Sequence, residues 1–250
     1  MILKDWLLQE PFTLTLSSGF FSFFAHTGMV AALEEEGIKP TRLTGSSAGA
    51  LVASCWAAGL DTRELKDILF KTKRQDFWDP GFGLGLLKGD RFRDILDDIL
   101  PVKTFEACRA ALALSAYDVK SRKTIIFDKG ELIPAIYASC AIPVLFQPIK
   151  HQGYLLLDGG INDRPALAAT KLGERIFYHH IASKSPWRKK DSASVQIPSR
   201  DNLTSLILYD LPRSGPTKLD VGPLAFEKAY QATKKALSRE IFQGSVAIAS

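Results

Sequence analysis

The stretch TRLTGSSAGALVASCWAAG, residues 41–59, decides the fold class. Its first four residues are typical of a short strand, and the small apolar residues from Ala48 onward indicate a buried helix that ends at Gly59. Between them stands Gly45-Ser46-Ser47-Ala48-Gly49, which matches the pattern G-x-S-x-G. This spacing predicts a sharp strand-to-helix turn with Ser47 at its tip.

Ser47 is the candidate nucleophile of this turn. The residue at the tip of such a turn adopts a strained backbone, and glycines at positions 45 and 49 would spare it collisions with neighbouring side chains. Its hydroxyl would stand at a helix N-terminus, where the helix dipole favours developing negative charge. A turn of small residues that only allows close packing is the alternative, and the strand–turn–helix context favours the nucleophile.

The segments on either side extend the same alternation. Residues Phe12–Leu16 are patterned like a strand, and Ala25–Glu36 is typical of a helix. The order strand, helix, strand, helix predicts an α/β fold with a mostly parallel sheet covered on its faces. We expect a single domain over residues 1–250, with an irregular insertion or linker at 183–223 and an amphipathic helix at 223–242.

The composition is that of an ordinary globular chain. With 46% hydrophobic and 24% charged residues, the 250-residue chain does not belong to the disordered, collagen-like or coiled-coil classes. Three widely spaced cysteines exclude a disulfide scaffold and fit a reducing compartment, and the N-terminus lacks the pattern of a secretory signal, so we expect a cytoplasmic protein. Four histidines without ligand spacing predict no metal site, and we expect no cofactor.

The net charge of +5 is concentrated in the C-terminal third. From Lys171 onward there are 13 basic and 7 acidic residues, which is compatible with peripheral contact to an anionic membrane or with a merely solvated face. Aromatic residues do not alternate with these charges, so we expect no nucleic acid partner. The apolar loop Phe82–Leu87 is compatible with a lip over an acyl chain or with ordinary packing. No pattern indicates an oligomeric state.

A second candidate, Asp158, follows the aliphatic run Tyr154–Leu157 and precedes Gly159 and Gly160. Open α/β sheets place their chemistry at the carboxyl ends of strands, and two glycines would let the backbone turn while the carboxylate stays accessible. An ordinary Asp-Gly turn is the alternative meaning of this sequence.

Attack of a serine on a carbonyl also requires donors for the oxyanion. The candidates are the backbone N–H of Ala48, directly after the nucleophile, and the amides of Gly19 and Phe20 in the turn that follows the first strand. If Ser47 and Asp158 were not present, nothing would distinguish that turn from an ordinary connection between a strand and a helix.

Taken together, three blocks of the chain resemble the patatin-like phospholipase family. They are Ala25-His26-Thr27-Gly28 after the N-terminal turn, the elbow Gly45–Gly49, and Ser139-Cys140-Ala141-Ile142-Pro143 leading to Asp158-Gly159-Gly160. The similarity covers about residues 12–170 and includes Gly89-Asp90-Arg91.

The resemblance implies a three-layer α/β/α sandwich and hydrolysis of lipid acyl esters by a Ser–Asp dyad without a histidine. In that mechanism Ser47 is the nucleophile, and Asp158 accepts its proton and later returns it to the leaving alcohol. The implied partner is a lipid or acyl-ester substrate.

The N-terminal turn departs from the family pattern. The family usually has G-x-G-x-x-G there, often with a basic residue, whereas this chain has Ser18-Gly19-Phe20-Phe21-Ser22-Phe23. If an amide must point inward from a residue with positive φ, Phe20 would resist at a cost of roughly 1 kcal/mol or more. We expect an oxyanion hole of altered form, and an impaired hole is the alternative.

Two other functions fit the same residues. A Ser-Asp-His esterase would use His179 or His180 as the base, in the chain order Ser47, Asp158, His. A catalytically impaired module that binds lipid or acyl ligands would explain the altered turn, although such a module has no physical need for both Ser47 and Asp158.

Overall fold

The computed structural model describes residues 1–182 and 196–249. The helices are α1 Leu3–Gln9, α2 Phe23–Glu35, α3 Ala48–Ala58, α4 Thr62–Lys71, α5 Arg74–Phe77, α6 Asp90–Ile99, α7 Leu132–Cys140 and α8 Gly222–Leu237. The strands are β1 Thr13–Leu16, β2 Arg42–Ser46, β3 Gly85–Leu87, β4 Ala111–Asp118, β5 Lys123–Phe127, β6 Val144–Phe146, β7 Ile149–His151, β8 Tyr154–Asp158, β9 Ile176–Ile181, β10 Leu203–Tyr209 and β11 Ser245–Ala249.

Nine of these strands form one sheet in the order β11-β10-β9-β1-β2-β4-β8-β7, with β5 also paired to β4. All neighbours from β11 to β4 are parallel, whereas β5, β8 and β7 are antiparallel to their neighbours. Strands β3 and β6 form a separate, small parallel pair. The structure confirms the predicted α/β fold with a mostly parallel central sheet.

Strands β2 and β8 meet end to end beside β4. Ser46, the last residue of β2, pairs with Ser115, and Asp158, the last residue of β8, pairs with the next residue of β4, Ala116. Because β5 pairs with both Ser115 and Ala116, it occupies the opposite side of β4, and β2 and β8 must share the remaining side. The carboxyl ends of two strands that run in opposite directions are therefore adjacent.

The two faces of the sheet are covered differently. The main core contains the buried strand residues Leu14, Leu16 and Leu114 together with residues of the packed helices. On the other face Leu167, Tyr178 and other residues form a smaller cluster. The irregular segment 162–174 covers that face, where the Thr44 hydroxyl donates to the carbonyl oxygen of Ala166 at 2.7 Å. The layered architecture expected from the sequence is thus present, with an irregular segment in one of its outer layers.

The prediction for the C-terminal region is partly wrong. Residues 183–195 lie outside the described part of the chain, but Leu203–Tyr209 within the predicted irregular segment 183–223 forms β10, between β9 and β11. Six of its seven residues are buried, so the strand lacks the alternation by which a half-exposed strand is found. The predicted helix 223–242 starts one residue earlier and ends at Leu237.

Among the residues that the structure describes, none of the helices combines the length and hydrophobicity needed to cross a bilayer.

Candidate active site

The predicted strained turn is present at Ser47. This residue lies between β2 and α3 with φ 54° and ψ −124°, a conformation that costs an L-residue roughly 1–3 kcal/mol. A Cβ at Gly45 would lie 2.5 Å from the Cα of Ala50, and one at Gly49 would lie 2.6 Å from the carbonyl carbon of Leu16. Neither glycine has a positive φ. Both are therefore required for space, because the turn packs directly on the backbone of β1 and α3.

The Ser47 hydroxyl donates a hydrogen bond to Oδ2 of Asp158 at 2.6 Å. The other carboxylate oxygen, Oδ1, accepts from the backbone N–H of Gly160 at 2.8 Å, which fixes the orientation of the carboxylate. Both side chains are buried, with 5% of Ser47 and 6% of Asp158 exposed. The contact follows from the fold, since the end-to-end meeting of β2 and β8 brings together two residues 111 positions apart.

The glycines after Asp158 also provide space. A Cβ at Gly159 would lie 2.7 Å from the carbonyl carbon of Ser115, and one at Gly160 would lie 2.6 Å from the Cβ of Ser18. The turn after β1 therefore touches the turn after β8. In this arrangement the N-terminal turn, the elbow and the acid form one compact group.

The end of α7 holds the peptide groups of Ser47, a feature that the sequence did not predict. The Ser47 N–H donates to Oγ of Ser139 at 2.9 Å, and the Cys140 thiol donates to the Ser47 carbonyl oxygen at 3.1 Å. Burial, followed by the charge of Asp158, raises the pKa of Cys140 well above its usual value, so the thiol keeps its proton. In the sequence, this contact is indicated by Ser139 and Cys140, two polar residues at the end of an otherwise apolar helix.

The N-terminal turn is closed by hydrogen bonds between Ser22 and Gly19. The Gly19 carbonyl oxygen accepts from the Ser22 N–H at 3.2 Å and from the Ser22 hydroxyl at 2.9 Å, so the turn runs from Gly19 to Ser22. Its third residue, Phe21, takes the positive φ of 53°, and Phe20 does not. The positive φ therefore falls on Phe21 and not on Phe20, whose side chain is 48% exposed.

An apolar cavity of about 110 Å³ opens beside Ser47. Gly19 and Ala48 border it, whereas Phe20 does not. The structure therefore brings two of the three predicted oxyanion positions to the cavity. Beyond them the cavity runs between α4 and α6, and apolar side chains that line it include Phe21, Leu65, Leu69, Ile95 and Phe146.

The histidines of the triad alternative do not join this group. Nδ1 of His179 hydrogen-bonds to Nδ1 of His26 at 2.9 Å, and its Nε2 has no hydrogen-bond partner among the described residues. His180 uses Nδ1 to bond the Tyr178 hydroxyl at 2.8 Å. Burial lowers the pKa of His26 to about 3 and that of His180 to about 4, so both are neutral near pH 7.

Within residues 1–182 and 196–249, no cluster of three or more His, Cys, Asp or Glu side chains is arranged to hold a metal ion.

Proteins of similar sequence occur in bacteria and in the mouse. An uncharacterized NTE family protein of Mycobacterium bovis is 35% identical over 154 residues, which are 60% of this chain and 42% of the relative. The mouse omega-hydroxyceramide transacylase is 29% identical over 172 residues, 61% of this chain and 27% of that enzyme. This chain thus matches less than half the length of either relative.

The fold has a counterpart among solved structures. VipD from Legionella pneumophila superposes with a TM-score of 0.67 over 91% of this chain and 67% of its own, at 17% identity. The family model described as patatin-like phospholipase matches residues 14–170, which include the N-terminal turn, the elbow and Asp158. The chain therefore belongs to the patatin-like phospholipase family.

Proposed function

We propose that this protein is a lipid acyl hydrolase that cleaves carboxylic esters through Ser47 and Asp158. The observation that carries the proposal is the 2.6 Å hydrogen bond between the Ser47 hydroxyl and Asp158 at one end of an apolar cavity. The hydroxyl is already in contact with a group that can take its proton, and a space suited to an acyl chain lies beside it.

In the first step the Ser47 oxygen attacks the ester carbonyl carbon as its proton passes to Oδ2 of Asp158. The tetrahedral intermediate collapses, the bond to the alcohol oxygen breaks, and Asp158 gives its proton to the leaving alcohol. In the second step Asp158 takes a proton from water, whose oxygen attacks the acyl-enzyme. Collapse of this second intermediate releases the carboxylic acid, and Asp158 returns the proton to Ser47.

A carboxylate, with an ordinary pKa of about 4, is a weak base toward a hydroxyl group. The oxyanion donors therefore carry much of the catalytic burden. We assign this role to the backbone N–H of Ala48 at the N-terminus of α3 and to that of Gly19, since both residues border the cavity beside Ser47. Phe20 is not assigned, because it does not reach the cavity.

The cavity supports an acyl chain as the part of the substrate that is recognised. Its walls are almost entirely aliphatic and aromatic side chains, and burial of each methylene contributes about 0.8 kcal/mol to binding. We therefore expect medium-chain esters to be better substrates than acetyl esters. The position of the cleaved ester in a lipid is not part of the proposal.

The test is hydrolysis of soluble p-nitrophenyl esters of increasing chain length by the wild type and by Ser47→Ala. Ser54→Ala is the matched control, because Ser54 is also buried in this region, in α3, and its hydroxyl has no partner among the described residues. We expect activity in the wild type and Ser54→Ala and none above background in Ser47→Ala. If wild type and Ser47→Ala are equally inactive, the protein is a binding module instead.

The same assay separates the dyad from a triad. His179→Gln and His180→Gln should retain most of the activity, since neither ring reaches Ser47 in this arrangement. Loss of activity in either variant while the protein stays folded would favour the Ser-Asp-His mechanism.

A further inference from the structure

A group of apolar side chains projects into solvent beside the active-site cavity. The group, here named the apolar rim, consists of Phe82, Leu84 and Leu86 around β3 and Val144 at the start of β6. Their exposed fractions are 109%, 77%, 49% and 74%, so Phe82 is fully exposed and each of the other three is at least about half exposed. Scattered exposed residues are common, but four on this small sheet and the loop that leads into it form a patch that needs an explanation.

The rim is held in place by specific contacts. Strands β3 and β6 pair in parallel, with Gly85 opposite Val144. The Gln147 side chain accepts from the Leu84 N–H at 3.1 Å and donates to the carbonyl oxygens of Phe82 at 3.1 Å and Gly85 at 2.8 Å. Three hydrogen bonds from one side chain thus fix a loop whose apolar side chains remain outside.

The backbone of Val144 is strained, and its side chain is exposed. Its φ is 69°, a left-handed conformation that is a genuine outlier for a β-branched residue. Strained residues of this kind persist at functional sites, where the surrounding structure over-determines them. Here the pairing of β6 with β3 holds the valine side chain outward.

The rim is continuous with the cavity and carries no charge. Ile142 and Phe146, on either side of Val144 in the chain, both line the cavity that starts at Ser47. Residues 80–87 and 132–149 contain no charged side chain; Asp79 and Glu131 directly precede these two segments, and Lys88 and Lys150 directly follow them. An uncharged apolar surface at the mouth of an acyl cavity matches the apolar layer of a phospholipid membrane.

We propose that the apolar rim inserts into the surface layer of a phospholipid bilayer and presents the cavity to lipid acyl chains. The proposal rests on the proposed function for what happens to the lipid, but the binding itself does not depend on Ser47. A protein partner fits less well, since a specific protein interface uses about 20–30 residues on each side and the rim has four. Four side chains that protrude separately can instead insert between the mobile molecules of a lipid layer.

The test is co-sedimentation with phosphatidylcholine vesicles, with all variants in the Ser47→Ala background so that the vesicles stay intact. We compare Phe82→Ser/Leu84→Ser with the matched double variant Leu172→Ser/Phe242→Ser, whose parent side chains are 95% and 73% exposed elsewhere on the surface. The rim variant should lose at least about tenfold in vesicle partition, and the control should bind as the parent does.

Several outcomes would overturn the proposal. One is that the parent does not bind vesicles, and another is that the two double variants lose vesicle binding equally. A third is binding that requires anionic lipid and disappears at high salt, which would indicate that the basic C-terminal third makes the contact instead. A change of oligomeric state in the rim variant without vesicle binding would assign the rim to a protein contact.

A second readout does not depend on removing side chains. Phe82→Trp should show more fluorescence quenching by brominated lipid than the parent, whose own four tryptophans set the background, and Phe242→Trp should show no increase. Equal quenching of the two would refute insertion of the rim.

The failure of each idea can be distinguished. Vesicle binding through the rim without Ser47-dependent hydrolysis of soluble esters would refute the proposed function alone. If the protein hydrolyses soluble esters but the rim variant binds vesicles as well as its parent does, this inference alone would be refuted.

Discussion

Removal of the Ser139 hydroxyl should loosen the elbow that carries Ser47. In the wild type this hydroxyl accepts the Ser47 N–H at 2.9 Å, and Ser139 is fully buried. In Ser139→Ala the N–H would be left in a dry site without an acceptor, which costs about 1–3 kcal/mol. The N–H that loses its acceptor belongs to Ser47, whose backbone is already strained, with φ 54°.

The matched variant is Ser54→Ala in α3. Its hydroxyl is also buried but makes no hydrogen bond within the described residues, so its removal leaves no group unsatisfied. We therefore expect the free energy of unfolding of Ser54→Ala to be unchanged or slightly higher, and that of Ser139→Ala to fall by about 1–3 kcal/mol.

The assay is urea unfolding of the two variants beside the wild type, together with hydrolysis of a soluble ester. If the loss of this hydrogen bond raises the activation free energy by about 1.4 kcal/mol, kcat falls about tenfold in Ser139→Ala. Equal stability of Ser139→Ala and Ser54→Ala would refute the reasoning, because the Ser47 N–H would then not depend on this acceptor.

Three further predictions concern the cavity, the histidines and the rim. Ile95→Trp should fill part of the cavity and lower kcat/KM for a decanoyl ester about tenfold while an acetyl ester changes about twofold or less; equal effects on both esters would mean that the acyl chain lies elsewhere. The urea midpoint should fall as the pH is lowered from about 6.5 to about 4.5, because unfolded histidines bind protons that His26 and His180, with pKa values of about 3 and 4, cannot bind when folded; a flat profile over this window would contradict their buried, neutral state. Val144→Asn should raise the free energy of unfolding by about 1 kcal/mol, since asparagine tolerates a φ of 69° better than valine, and should weaken vesicle binding; lower stability would show that the valine is not strained.

Ser47 and Asp158 could be proposed as nucleophile and acid from the sequence because local patterns mark both positions. Gly45 and Gly49 are needed because this turn packs against backbone, and their spacing together with the order strand, turn, helix indicates Ser47. Asp158 is marked in the same way by the two glycines that follow it. The α/β order of the N-terminal half could be predicted because its strands and helices alternate with clear boundaries.

The features that depend on distant residues could not be predicted. The end-to-end meeting of β2 and β8 is a property of their shared partner β4, and nothing in either strand indicates it. The contacts from Ser139 and Cys140 to Ser47 join positions more than 90 apart. Strand β10 could not be predicted because burial on both faces removes its alternation. In the N-terminal turn, the positive φ at Phe21 follows from the closing bonds between Ser22 and Gly19.

The most direct test of the Ser47–Asp158 pair is the rate at which a fluorophosphonate modifies Ser47, followed by peptide mass spectrometry. We expect a single adduct on Ser47 in the wild type and in Ser54→Ala, and a rate lower by about 10³-fold or more in Asp158→Asn, because the amide cannot accept the serine proton. An adduct that forms on Ser47 as fast in Asp158→Asn as in the wild type would contradict the role of the acid, and an unmodified Ser47 in the wild type would contradict the role of the nucleophile.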